Sequence, residues 1–119
     1  MLDFHMDNCF IRMGMTASEN WEIIDQMKST DVWMHLKACP SSHAMIRMPK
    51  KIRDNPRLAQ YSMDHAARMI CHQSSRRIPW NAERVEFIYS RAMYVKKGRA
   101  VGEAIMVRPP DEFSIENPL

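Results

Sequence analysis

The chain has 119 residues, of which 45% are apolar and 26% charged, and it carries a net charge of +3. This is the size and composition of one folded domain with a core of its own, and it excludes an intrinsically disordered polymer. No run approaches the roughly 20 apolar residues that span a bilayer, and the opening residues, Met1-Leu2-Asp3-Phe4-His5, lack the basic start and apolar stretch of a secretory leader.

Asn8 to Met13 reads as a strand ended by Gly14. Thr16-Ala17-Ser18-Glu19 has capping-box spacing, in which the hydroxyl and carboxylate satisfy orphan N–H groups. A helix is therefore expected to about Met27, with Trp21 and Ile24 on one face and Ser29-Thr30-Asp31 as its stop. Val32 to Leu36 and His43 to Met48 are β-rich and are expected to pair as a hairpin around Ala38 to Ser42. Residues 49–53 form a basic connector. Asn55-Pro56 supplies an N-cap followed by proline at the first helical position. The stripe Ala59, Met63, Ala66, Ala67 and Ile70 carries that second helix to about Cys71. Gln73 to Ala82 is a loop, Arg84 to Tyr89 a strand, and Ala100 to Val107 another strand after Gly98. Pro109-Pro110 halts it, and Phe113 to Ile115 can add a short final strand. The expected architecture is α+β, a single small domain with a mostly antiparallel sheet of roughly four to six strands and two helices. Its order is β-α-β-β-α-β-β, with a core over about 9–107 and a loose tail over 108–119.

Charge is segregated along the chain. Residues 1–46 hold three basic and six acidic side chains, residues 47–99 thirteen and four, and residues 100–119 one and four. A positive face suited to a polyanion is one reading, and solvated charges scattered over several faces is the other. Cys9, Cys39 and Cys71 are odd in number and widely spaced, which points to free thiols in a reducing, cytoplasmic compartment. The 12 Met against 3 Gly read either as a plastic core or as an adaptable surface.

Four groups of residues carry candidate chemistry. Asp31, Trp33 and His35 alternate on one strand face, where the carboxylate can orient the imidazole or raise its pKa. The alternative is a helix-ending Asp and a His that packs. His35, Cys39 and His43 have even spacing but lack a close pair and a fourth ligand, so no metal is expected. Ser42 and His43 are adjacent and point to opposite faces of a strand, and there is no Gly-x-Ser-x-Gly elbow, so no catalytic residue is expected. Tyr94-Val95-Lys96-Lys97-Gly98-Arg99 sets three cations beside a glycine that lets phosphate approach. Arg76, Arg77 and Trp80 add a basic loop with an indole on which a base can stack.

In order and spacing these pieces resemble the NFACT-R (NFACT RNA-binding) domain in its stand-alone form. The resemblance rests on Gly14-x-x-Ala17-x-x-Asn20, Asp31-x-Trp33-x-His35-Leu36 and Pro40-Ser41-Ser42-His43. It continues through Ala66-Ala67, Val85-x-x-x-Tyr89-Ser90, Tyr94-Val95-Lys96-Lys97-Gly98 and Gly102, covering roughly residues 9–107. Met15 stands where the family usually has Arg or Lys, with Arg12 the candidate stand-in, and Ser41 stands where it often has Gly. The resemblance implies binding of RNA, tRNA or rRNA first, in translation or ribosome quality control, with DNA and the ribosome as further candidate partners and no membrane. The expected nucleic-acid contacts are Arg12, Asn20, Asp31, Trp33, His35, Ser42, His43, Arg76, Arg77, Lys96, Lys97 and Arg99. Among them, His35 and His43 are expected to hydrogen-bond the ligand and Trp33 to pack or stack. No cofactor is expected. The alternatives are an RNA-processing or RNA-modifying enzyme that uses the Asp and His residues, and a protein-interaction adaptor.

Overall fold

Short runs of alternating apolar and polar residues recur along the chain, and such runs pair into sheets with one face buried. In the computed structural model, which describes residues 1–6 and 9–119, the elements run β1 (Leu2–Met6), β2 (Cys9–Met13), α1 (Ala17–Gln26), β3 (Val32–Leu36), β4 (Ala44–Arg47), α2 (Lys50–Arg53) and α3 (Pro56–Gln73). There follow β5 (Arg84–Arg91), β6 (Val95–Lys97), β7 (Ala104–Met106) and β8 (Asp111–Glu116). Six strands form one antiparallel sheet in the order β1-β2-β4-β3-β5-β8, while β6 and β7 pair as a separate hairpin.

One face of the sheet holds the main core. Ile11, Met13, Met34, Ala44, Ile46 and Phe87 pack there with Met63, Ala66, Ala67 and Ile70, the expected stripe of α3. That helix starts where its cap dictates: Asn55 Oδ1 accepts from the backbone N–H of Arg57 (3.1 Å) and Leu58 (3.3 Å), and Pro56 takes the first turn. Met13, Met34, Met45, Met48 and Met63 are all buried, so these five methionines serve as packing, while Met1, Met15 and Met93 are exposed.

The other face carries Trp33, Met45 and Arg47 beneath α1. Arg12 and Arg47 both reach Gln26 at the end of that helix, through its side chain (2.8 Å) and its carbonyl (3.4 Å). Asp31 lies just before β3 and is 2% exposed. Its carboxylate accepts from the Lys28 N–H (2.8 Å) and from Arg47 Nε (3.0 Å) and Nη2 (2.8 Å), while its own carbonyl receives the Ala92 N–H (2.8 Å). One acid thus ties the end of α1, β4 and the end of β5 together.

The α+β architecture matches the expectation, with several differences in detail. Residues 108–119 are not a loose tail, because β8 pairs with β5 along its whole length. The basic connector contains the short helix α2, and the strand expected over 100–107 shrinks to β7 paired with β6. β1 is an additional edge strand, and Asn8, expected to open β2, lies outside the described residues. Among the described residues no helix is long and apolar enough to cross a membrane.

Removing Arg47 leaves the Asp31 carboxylate buried with no cation. Arg47 keeps about a third of its side chain exposed, so Arg47→Ala is expected to cost about 2–3 kcal/mol, below the range for fully buried pairs. Arg47→Lys, which keeps charge but not the two-pronged geometry, should recover part of that loss. Urea denaturation of both variants reads the difference.

Candidate functional site

Three chain segments converge beside β3 and β4 because small residues let them approach. A Cβ on Gly14 would lie 2.8 Å from the Asn20 backbone nitrogen, so only glycine fits against the first turn of α1. Gly14 donates its N–H to the His43 carbonyl (3.1 Å), and Asn20 Oδ1 accepts the His43 N–H (3.1 Å). Thr16 caps the helix by accepting from the Glu19 N–H (3.2 Å), while Glu19 reaches back to the Met15 N–H (2.9 Å). On the far side, Gly102 takes a positive φ of 88° in the turn before β7 and would meet the Ala17 Cα at 2.9 Å if it carried a Cβ. Gly14, Ala17, Asn20 and Gly102 are therefore a structural joint.

The joint frames a cleft of about 920 Å³. The N-terminal end of α1 with Thr16 and Ala17, the β3–β4 loop, the segment after α3 with Arg76 and Arg77, and the turn around Gly102 line it. Trp33, His35 and His43 cluster at its floor. The Trp33 and His35 rings stack at 5.6 Å, and His43 stands edge-on to both, at 5.2 Å from Trp33 and 5.0 Å from His35.

Hydrogen bonds fix the form of His35. A carbonyl can only accept, so Nδ1 carries the proton it gives to Leu36 O (2.6 Å), and Nε2 accepts from the Ser41 N–H (3.1 Å). The ring is neutral and both nitrogens are used; burial lowers its pKa. Ser41 Oγ accepts from the Leu36 N–H and donates to Ser42 O, both at 3.1 Å, and the Ser42 N–H reaches Ser74 Oγ (3.3 Å). The loop is thereby fastened to the end of α3, just ahead of Arg76 and Arg77. His43 is 3% exposed, and burial first, then the proximity of His35, pushes its imidazole down to about 3. His43 Nδ1 and Trp33 Nε1 are buried with no partner among the described residues.

Of the twelve expected contacts, Asn20, Trp33, His35, Ser42, His43, Arg76 and Arg77 line this one cleft. Three of them are placed for support. Trp33 is 2% exposed and packs, so it offers no stacking face. His35 has no free nitrogen for a ligand, and Asn20 holds the His43 backbone. Asp31 shares a strand face with Trp33 and His35 as expected, but its carboxylate is turned to Arg47, so the Asp–His pair does not form.

The remaining cations lie elsewhere. Arg12, the candidate stand-in beside Gly14, makes a two-pronged ion pair with Asp3 (2.7 and 2.8 Å) and does not line the cleft. Lys97 pairs with Asp25 (2.5 Å) and lies over the Trp21 ring (5.3 Å), fastening the hairpin to α1. Lys96 and Arg99 are exposed on the hairpin, and Glu103 folds over Gly98 and accepts the Arg99 N–H (3.1 Å). The basic middle of the chain is spread over both ends of α3, roughly 27 Å apart at 1.5 Å per residue, and over the hairpin. Sequence reasoning did not place Thr16, Ser74 or Gly102 at the site. The capping signal at Thr16 and the serines before Arg76 were the available clues, but neither reveals which loops meet.

No family model matches the chain, and no curated protein does. Among solved structures, it is similar to the C-terminal part of the fibronectin/fibrinogen-binding protein from Streptococcus suis, with a TM-score of 0.70 and 21% identity. The match covers 91% of this chain and 41% of that one, so the chain spans about two-fifths of its relative's length. At that identity the likeness shows the fold.

The buried imidazoles set a pH dependence. His43 takes up a proton less readily folded, at about 3, than unfolded, near 6.5. The unfolded chain therefore binds more protons in between, and stability is full above 6.5 and falls as pH drops toward 3. The slope approaches about 1.4 kcal/mol per pH unit for one proton, with His35 acting in the same direction. Between about pH 7 and 5, above most carboxylate titration, His43→Gln should flatten the dependence of the urea midpoint on pH.

Proposed function

We propose that the domain binds nucleic acid, RNA foremost, across the cleft between α1 and the segment after α3. The observation that carries this reading is the pairing of two anion-attracting walls over an uncharged floor. Arg76 and Arg77 are exposed and make no ion pair among the described residues. Thr16 and Ala17 at the N-terminal end of α1 line the same cleft and bring the positive end of the helix dipole to it, with Glu103 the one acid in the lining. The floor of neutral His43 and Ser42 suits a sugar or a base edge better than a phosphate. The unpartnered His43 Nδ1 is a buried polar group of the kind that ligand sites leave open.

Trp80 supports the same reading. It is 90% exposed, three residues beyond Arg77, where an indole has little reason to stand in water unless something stacks on it. The resemblance to NFACT-R domains points the same way, toward tRNA or rRNA and a cytoplasmic role in translation or ribosome quality control, with DNA as a competitor. An RNA-modifying enzyme built on Asp31 and His35 is disfavoured, because the two groups are committed to other partners.

A protein-binding adaptor is the second reading. Its support is the fold likeness to part of a fibronectin/fibrinogen-binding protein and the exposed Met15, Val101, Ile105 and Val107.

Titrations with tRNA, single-stranded RNA and duplex DNA across a salt series test the proposal. Binding should weaken steeply with salt, and Arg76→Ala/Arg77→Ala should reduce the log–log slope by about 1.5–2, for two lost phosphate contacts. Trp80→Ala should weaken single-stranded RNA by about 1–3 kcal/mol, while Lys97→Ala should act mainly on stability. Weak, salt-independent binding to all three nucleic acids would overturn the reading and favour the adaptor.

A further inference from the structure

We propose that the free edge of β1 pairs with β1 of a second copy of this chain, joining two six-stranded sheets into one across a two-fold axis. The sheet has two edges, β1 and β8. β8 reads Asp111-Glu112-Phe113-Ser114-Ile115-Glu116, and its acids oppose addition of another such strand, a common protection of sheet edges. β1 reads Leu2-Asp3-Phe4-His5-Met6 and has neither Pro nor Lys, and its pairing with β2 runs unbroken over all five residues. Among the described residues no strand pairs with its outer side.

The sequence of β1 is complementary to itself. Leu2, Phe4 and Met6 share the face of Met13, Ile11 and Cys9, while Asp3 and His5 share the face of Arg12 and Phe10. A two-fold axis perpendicular to the sheet places side chains of the same face opposite each other. The axis can therefore pass through Asp3, Phe4 or His5. Through Asp3 it overlaps only residues 2–4 and sets two carboxylates against each other. Through His5 it overlaps, among the described residues, 4–6 and sets the two imidazoles against each other. Through Phe4 it overlaps the whole strand, with Leu2 opposite Met6 and Asp3 of each copy opposite His5 of the other. That register brings each imidazole to a carboxylate that Arg12 of its own copy also holds, and it gives no like-charged pair.

The helix side of the edge fits the same partner. Phe4 is 40% exposed and its ring leans on His65 of α3 at 4.8 Å. Leu58 and Tyr61 of the same helix are exposed around a groove of about 380 Å³ that Phe4 and Met6 also line. In the Phe4-centred register the two phenylalanines meet at the axis, with the α3 helices of both copies on the same side of the joined sheet. The grooves then face each other and close over apolar surface.

Sedimentation equilibrium of the full chain from about 5 to 300 μM, where small interfaces dissociate, reads the assembly. A species of twice 14.0 kDa is expected. His5→Glu puts a carboxylate opposite Asp3 twice per interface and should weaken the dimer at least about tenfold, while His5→Lys should retain it. His5 is exposed, so the circular dichroism of both variants, and their melting at concentrations where the parent is monomeric, should match the parent. A parent chain that stays at 14.0 kDa throughout overturns the proposal and leaves the edge to a strand from another protein. A dimer that His5→Glu leaves intact, or that His5→Lys abolishes equally, overturns the register. RNA binding is not required for any of these outcomes.

Discussion

The two hydrogen bonds that clamp the His43 backbone, from Gly14 and to Asn20, are the constraint on which the rest of the site depends. Each contributes only about 1 kcal/mol net, yet between them they set where α1 lies on the sheet. The glycine is required because a side chain there would strike the helix backbone. Once His43 is held, the loop before it is short enough for Ser41 to cap the end of β3 and for Ser42 to reach Ser74. The end of α3, with its arginines, is thus positioned through a chain of contacts that starts at a residue without a side chain.

The electrostatic division of the cleft follows from the same packing. Imidazoles excluded from water stay neutral, so the floor has shape and polarity without charge, while cations and helix dipole stand at the rim where solvent can hydrate them. Burying a cation at the floor would have cost several kcal/mol. Asp31, the acid that shares the strand face of Trp33 and His35, is held by Arg47. Asp31, the one deeply buried carboxylate among the described residues, thus holds elements together and does not face the cleft.

Much of this was legible in the sequence because it is local. Alternation located β3, β4 and β5, and an Asn-Pro cap with a stripe of small and apolar residues located α3. β1 has the same alternation in Leu2, Phe4 and Met6, but its side chains are mostly exposed, so it carried little signal. α2 is one turn of Lys-Lys-Ile-Arg with a single buried residue, too short for periodicity to register. What resisted reading was partner choice. Lys97 looked like a phosphate contact beside a glycine, but Asp25 and Trp21, more than seventy residues earlier, claim it. Asp31 shared a face with His35 as the strand period requires, but Arg47 on the neighbouring strand competes with better geometry. Charge in a sequence shows what a side chain can do; the tertiary fold decides what remains available.

The hairpin of β6 and β7 shares no backbone ladder with the main sheet. It is held to α1 by the Trp21 indole N–H on the Glu103 carbonyl (3.0 Å), by Lys97 and by the contact of Gly102 with Ala17. Local opening in proteins follows such seams, where few contacts join one cooperative unit to the next. One wall of the cleft therefore meets the rest of the fold along such a seam. The width of the entrance on this side thus depends on these few contacts with α1 and on the buried Val95 of β6, and not on the ladders of the six-stranded sheet.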